Sequence, residues 1–457
     1  MNDGKPTRAK GDPSARTSAE TILLSFCLFY VVFNLLLCLC LPLTGSLRTF
    51  WYTFQLGVSA AGLVGWLVLF LRRTDASAPH GREILRGLVR RDTAALLLWV
   101  LWAGAACLMA VGAGIASLRQ NVPYLFDLFV SLLVLYPLGL YLGEKRDFRL
   151  LSALIDTGAA IFTGFSLLAL ICFFSGMGAF TVLGHSFGIN SMGRLAVGSN
   201  PNTTGALCAF FLAALLFRLY ASPSRLRKWL YGLSVGVNLV TLYLSDCRTS
   251  YIAFVITSAA FVFALLYRRS ASRRVHTLLI VGALLLAGAA AALAYYLFVH
   301  LGLWSSGVRG GSILSLGSRT RIWQVVIQEL KTNRSLALRG CSPASTISYI
   351  HDLATFKSDV YTHDQFLEIL MGQGAPAFVL STVWLVVLIR KSLPLLVSKE
   401  ESFAWTLPLI LLNLFIGNLA EAMLVCLHHY TGSMFFLTAG YIAALYESHA
   451  KAKQSRS

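Results

Sequence analysis

A chain that strings together apolar runs of about 20 residues, with short polar breaks between them, has few folds open to it. In hydrocarbon a backbone must satisfy its own hydrogen bonds, and a helix does so within a single segment. Here the runs fall near 21–43, 50–71, 93–117, 122–143, 150–175, 201–217, 229–245, 250–267, 277–300, 365–389, 403–427 and 430–446. The expected fold is an all-α polytopic membrane protein of about twelve transmembrane helices. A composition of 56% hydrophobic and 13% charged residues agrees, the latter being about half of what soluble domains carry. It excludes an ordinary cytosolic enzyme. No small-residue cleavage site follows the first run, which reads as an uncleaved anchor.

The formal charge of +18, from 38 Lys and Arg against 20 Asp and Glu, needs a place. With a cytoplasmic amino terminus, most of it falls on inner segments: Lys5 to Arg16, Arg72 to Arg91, Lys145 to Arg149, Arg218 to Lys228, Arg268 to Arg274, Arg390 to Lys399, and Lys451 to Arg456. The short and medium outer loops hold only Arg48, Arg119, Arg194 and Arg248. Positive charge inside sets both termini as cytoplasmic and attracts the anionic inner leaflet, so membrane lipids are expected partners. Nucleic acid is not expected, because the basic residues form no reader motif. The chain then divides into a cytoplasmic tail 1–20, helices 1–9 over 21–300, an outer loop 301–364, helices 10–12 over 365–446 and a cytoplasmic tail 447–457.

Most of the nine cysteines lie within the apolar runs; Cys247 and Cys341 are expected to face outward, either paired or as free thiols. Cys38 and Cys40 stand too close for a zinc pair, and neither C-x-x-C nor H-E-x-x-H occurs, so no metal site and no cofactor is expected.

Chemistry has room in two outer segments, 176–200 and above all the loop of about 64 residues at 301–364. Within that loop Ile322, Val326 and Leu330 recur every four positions, with Trp323 and Ile327 beside them and Gln324, Gln328 and Lys331 on the other face. This pattern predicts an amphipathic helix lying on the membrane surface or against the bundle. Its start reads Gly317-Ser318-Arg319-Thr320-Arg321, with Ser318 as candidate N-cap. Two guanidiniums at a helix amino terminus suit a phosphate or diphosphate, though arginine beside a membrane also meets lipid head groups. Arg194 is a third outward cation, in a turn-rich segment ahead of the sixth run.

The chain re-enters the membrane as Tyr361-Thr362-His363-Asp364-Gln365-Phe366-Leu367-Glu368. A histidine at this boundary can take a proton from a hydroxyl, and Asp364 or Glu368 could orient it.

Three stretches together resemble the O-antigen ligase and polysaccharide polymerase (Wzy-like) superfamily of bacterial membrane glycosyltransferases. Arg194-Leu195 through Asn200-Pro201-Asn202 is similar to the family's R-L-x-G-x-x-x-N-P-N, Ser318-Arg319-Thr320-Arg321-Ile322-Trp323 to its S-G-R-x-x-x-W, and His363-Asp364-Gln365-Phe366-Leu367 to its H-N-x-x-L. A weaker likeness is Ser245-Asp246-Cys247-Arg248-Thr249-Ser250 to an S-R-T/S before a helix. The chain departs from the pattern at Asp364, where Asn is usual, and at Gln373-Gly374, where Glu-Leu-Gly is common.

The resemblance implies a GT-C-like fold with a long, partly helical extracytoplasmic loop between helices 9 and 10, set in a bacterial cytoplasmic membrane. It implies transfer of a glycan from undecaprenyl diphosphate to an acceptor hydroxyl, on a glycan or a lipid-linked molecule, at the outer face. His363 would be the general base, Arg194, Arg319 and Arg321 would hold the diphosphate, and Asp364 and Arg248 would support them. Such a reaction is inverting and needs no metal. A transporter or flippase for lipid-linked oligosaccharide is the competing class, with Asp127, Asp156 and Glu421 as its intramembrane carboxylates. A purely structural or sensory protein leaves the ordered loop unexplained.

Overall fold

The computed structural model describes residues 18–40, 94–176, 179–182, 185–189, 193–198, 200–270, 319–354, 362–398, 403–418 and 430–454, with a few further positions in 53–64 and 272–282. Nearly all of it is helical. The helices are α1 (Ser18–Cys40), α2 (Ala94–Gly112), α3 (Leu118–Val130), α4 (Tyr136–Glu144), α5 (Arg149–Phe174), α6 (Pro201–Ala221), α7 (Arg225–Ser245) and α8 (Arg248–Arg269). They continue with α9 (Arg319–Thr332), α10 (Arg334–Arg339), α11 (Thr346–Ala354), α12 (Gln365–Leu396), α13 (Leu407–Asn418) and α14 (Tyr430–Gln454). A π-helical turn, Ser131–Leu135, joins α3 to α4 without a break in the span.

Among the described residues six helices are long and apolar enough to cross a membrane: Ala94–Gly112, Asn121–Glu144, Arg149–Phe174, Pro201–Ala221, Arg248–Arg269 and Gln365–Leu396. Leu23–Leu36 and Phe403–Asn418 are shorter apolar helices. The runs near 50–71 and 277–300 lie largely outside the described residues, as do Ser318 and Glu421. The chain is a multi-pass helical membrane protein.

The departure from a purely helical reading is a small antiparallel sheet between α5 and α6. Strands β1 (Ala179–Val182), β2 (His185–Ile189) and β3 (Leu195–Ala196) pair in chain order, with Val182 opposite His185 and Ile189 opposite Leu195. These strands are too short to leave a period-2 signature that stands out beside twenty-residue apolar runs.

The bundle core gathers side chains of α1 to α6 and α12 to α14, among them Tyr30, Phe162, Phe211, Trp384, Phe436 and Tyr441. Small residues set the closest crossing. A Cβ on Gly139 of α4 would stand 2.2 Å from the Leu437 carbonyl oxygen, and one on Gly440 of α14 would stand 2.2 Å from that of Tyr136. Gly143 meets Ala444 one turn further on, so two backbones touch along small faces, as membrane helices do when lipid removes the hydrophobic drive to associate. Leu101, Leu108, Leu230, Leu233 and Val255 are exposed on the bundle surface, where lipid chains would meet them.

The two ends of the bundle differ in chemistry. At one end the Arg218 guanidinium pairs with Asp156, which also accepts from the Tyr231 hydroxyl at 3.2 Å, and Lys391 stands 3.8 Å from Glu447. At the other end lie the first turns of α6, α8 and α12.

Candidate active site at one end of the bundle

The amino end of α6 is built by the stretch Arg194 to Asn202. Asn200 caps the helix by accepting from the Asn202 N–H at 2.8 Å, and Pro201 supplies the preset first turn. Thr204 Oγ1 accepts from the Val197 N–H at 2.9 Å, folding the segment back on the helix. Gly198 has φ +89° and lies so close to the end of α1 that a Cβ would stand 2.2 Å from the Leu39 carbonyl oxygen. Only glycine meets both demands.

Arg194 is 3% exposed, and its guanidinium is committed to the turn between α7 and α8. Nε donates to the Ser245 carbonyl at 2.7 Å, and Nη2 to the Asp246 carbonyl at 2.9 Å and to Asn202 Oδ1 at 3.0 Å. Asp246 itself sits in the left-handed region at φ +47°, which leaves those carbonyls outside the helical ladder and in need of a donor. Arg194 thus fixes the turn from which α8 starts, and half-buried Arg248 is the first residue of that helix. Cys247, just before it, is buried and packs on Gly205, and Cys341 is buried as well; the two form no disulfide, which is one of the alternatives the sequence leaves open.

The helix expected in the loop is α9. Ile322 and Val326 are fully buried and Leu330 packs beside them, while Gln324, Gln328 and Lys331 are exposed. The partner of this face is a separate small core of Leu336, Cys341, Ile350 and Met371, so the helix lies against the protein. Asn333 caps α10 by accepting from the Leu336 N–H at 3.0 Å.

The loop core is locked onto a kink in α12. Gly340 (φ +76°) and Gly374 (φ +78°) interdigitate: a Cβ on the first would stand 2.3 Å from the Gly372 carbonyl oxygen, and one on the second 2.1 Å from that of Leu338. Between them the Cys341 N–H donates to the Met371 carbonyl at 2.9 Å. Gln373 holds the kink from the bundle side, accepting from Trp99 Nε1 at 2.7 Å and donating to the Tyr124 hydroxyl at 2.9 Å, while its own carbonyl accepts from Trp102 Nε1 at 2.8 Å.

His363 sits in the turn that starts α12, with φ +53°. A β-carbon residue held in this conformation carries a cost of about 1–3 kcal/mol, which the surroundings must offset. Asp364 caps α12, its carboxylate accepting from the Leu367 N–H at 2.8 Å. Burial pushes its pKa up while the Leu367 and Phe366 N–H groups pull it back. Glu368 is 6% exposed; it accepts from the Thr346 hydroxyl on one oxygen, and from the Thr362 hydroxyl at 2.7 Å and the Thr362 N–H at 3.2 Å on the other.

The indole N–H of Trp323 donates to the Thr362 carbonyl at 2.7 Å. This brings the first turns of α9, where Arg319 is the first residue and Arg321 is exposed, beside the His363 turn. The Arg194 and Arg248 corner lies at the same end, across the last turns of α13. Ala253 and Phe254 near the start of α8 pack with Ile416 and Leu412, and Phe415 meets Phe366 of α12 at 6.3 Å between ring centroids. A largely apolar cleft of about 450 Å³, open space included, opens among α2, α12, α13 and α14, with Gln365, Phe366, Trp99, Trp384, Phe415 and Phe436 in its wall.

Two of the three carboxylates of the competing class are engaged elsewhere: Asp127 accepts from the Tyr30 hydroxyl, and Asp156 pairs with Arg218. Among the described residues no three His, Cys, Asp or Glu side chains come together as metal ligands. Sequence reasoning missed Thr346 and Thr362 as members of this site, and it placed Trp323 in a motif without giving it a contact. A glutamate one turn into an apolar run was the signal that pointed toward the two threonines.

The fold and these residues define a polytopic helical membrane protein whose polar side chains converge at one end, under a loop docked on the bundle. Residues 233–382 match the model of the O-antigen ligase family (Wzy_C), so the chain carries an O-antigen ligase domain over that stretch. The match takes in Arg248, Arg319, Arg321, His363, Asp364 and Glu368, and Arg194 precedes it. No curated protein matches the chain.

Proposed function

We propose that the chain is a membrane glycosyltransferase of cell-surface polysaccharide biosynthesis. It transfers a glycan from undecaprenyl diphosphate to an acceptor hydroxyl at the outer face of the cytoplasmic membrane, with both its termini in the cytoplasm. The observation that carries this reading is the 2.7 Å bond from Trp323 to the Thr362 carbonyl, which sets the arginine-bearing start of α9 beside His363.

His363 takes the proton of the acceptor hydroxyl as its oxygen bonds to the anomeric carbon. The bond from that carbon to the diphosphate oxygen breaks, and the electron pair leaves with the diphosphate. Diphosphate needs charge stabilisation rather than protonation, and Arg319 and Arg321 at the positive end of α9 supply it. Arg248 at the amino end of α8 acts with them from across α13, and Arg194 holds the turn from which that helix starts. Attack from the face opposite the leaving group inverts the anomeric centre, and no step calls for a metal ion. The loop docked through Gly340 and Gly374 keeps water from the donor.

Purified chain in proteoliposomes, given an undecaprenyl-diphosphate-linked oligosaccharide and an acceptor glycan, forms a new glycosidic bond and releases undecaprenyl diphosphate. A protein that only moved the lipid across the bilayer would leave donor and acceptor chemically unchanged.

A further inference from the structure

The transfer reaction uses His363 but leaves Glu368 without a part. A carboxylate in an apolar helix, 6% exposed, is costly to keep unless its oxygens are fully engaged. Here they are. One oxygen accepts from the Thr346 hydroxyl of α11. The other accepts from both the hydroxyl (2.7 Å) and the backbone N–H (3.2 Å) of Thr362. Thr362 and Asp364 flank His363, and both are pinned: Thr362 by Glu368 and by Trp323 on its carbonyl, Asp364 by its capping bond to Leu367. The Asp364 N–H also reaches Thr362 Oγ1 at 3.3 Å, which closes the turn around the left-handed histidine. His363 stands within electrostatic reach of the same carboxylate. Thr346 belongs to the loop, so one side chain joins the docked loop, the turn and the helix.

We propose that Glu368 is the positioning residue for His363: its carboxylate holds the left-handed turn that aims the imidazole, and ties that turn to the loop through Thr346. This rests on His363 being the base of the transfer reaction. The strain of a positive φ persists only where surrounding bonds over-determine it. Without the Glu368 carboxylate the Thr362 N–H loses its acceptor and the hydroxyl keeps only the Asp364 carbonyl at 2.9 Å, the turn relaxes toward an ordinary backbone conformation, and the imidazole leaves its aim. A displacement of about 1 Å in a catalytic group costs on the order of 100-fold in rate.

The test uses the full chain in proteoliposomes with purified undecaprenyl-diphosphate-linked oligosaccharide, and compares Glu368→Gln, Glu368→Ala, Thr346→Val and His363→Ala. A glutamine can keep the geometry, its oxygen accepting from Thr362 while its amide donates to Thr346 Oγ1, whose own proton turns to the Pro343 carbonyl at 3.2 Å. Glu368→Gln is therefore expected to stay within about threefold of the unmodified protein, and Glu368→Ala to lose on the order of 100-fold in kcat with the donor KM within about threefold. Thr346→Val, which removes one arm without changing volume, is expected to lose about tenfold in kcat. The proposal is overturned if Glu368→Gln is as impaired as Glu368→Ala, if the loss falls in KM, or if Thr346→Val keeps full kcat; the last holds even where the alanine variant does not fold. His363→Ala separates the two ideas. If it retains transfer, the base assignment fails; if it abolishes transfer while Glu368→Ala does not, only the positioning role fails.

Discussion

Trp323 and Thr362 are 39 residues apart in the chain, and the indole N–H of the first donates to the carbonyl of the second at 2.7 Å. That bond joins the helix bearing Arg319 and Arg321 to the residue just before His363, and with the packing of Ile322 and Val326 near Met371 it sets the proposed cationic and basic parts of the site against each other. Trp323→Phe keeps the ring packing and removes the donor. It is expected to lower kcat/KM for glycan transfer by about fivefold, one buried hydrogen bond being worth about 1 kcal/mol, with the protein still folded. Steady-state transfer with a fixed lipid-linked donor measures it.

Arg194 behaves differently from the other arginines, because its guanidinium is buried and spent on the Ser245 and Asp246 carbonyls and on Asn202. Arg194→Ala leaves those acceptors without their donor and is expected to cost about 2–4 kcal/mol of stability, read as a lower apparent melting temperature in detergent. Arg194→Lys restores the charge but not the planar fork, so it is expected to recover less than half of the loss.

The loop is docked by two glycines whose positions admit no Cβ. Gly374→Ala places a methyl 2.1 Å from the Leu338 carbonyl oxygen at a φ of +78°, and is expected to undock α9 to α11 from the kink in α12. Limited proteolysis between residues 319 and 354 is expected to become at least about tenfold faster. Gly104, around which nothing stands within 4 Å, serves as the control for an alanine in a helix.

The proposed chemistry runs on arginine and histidine alone. Transfer by the purified chain is accordingly expected to keep its rate in excess EDTA, and the same assay with and without added divalent cation checks this.

How much of this was legible in the sequence follows from what each feature depends on. The spans and the buried face of α9 depend on local periodicity, so Ile322, Val326 and Leu330 could be placed inward from their spacing alone. The grouping of Trp323 with His363 was approachable only through the resemblance, because the contact closes over 39 residues and nothing local encodes it. Two side chains were assigned by type where geometry decides. Asp364 and Glu368 read alike as carboxylates able to orient His363, and nothing local says that the first caps α12 while the second accepts from Thr362 and Thr346. The positive φ of His363 and Asp246 leaves no trace in sequence, since neither position is glycine. The small sheet was hidden for a different reason, its strands being two to five residues long.

The central claim is that His363 accepts the proton of the acceptor hydroxyl as the glycan leaves the diphosphate. Its most direct test is the transfer rate of His363→Ala in proteoliposomes at saturating undecaprenyl-diphosphate-linked oligosaccharide and acceptor, with donor binding measured alongside. The account predicts a fall of about 100-fold or more in kcat, with donor affinity within about threefold of the unmodified protein. A His363→Ala protein that binds donor normally and still transfers glycan at the unmodified rate would contradict it.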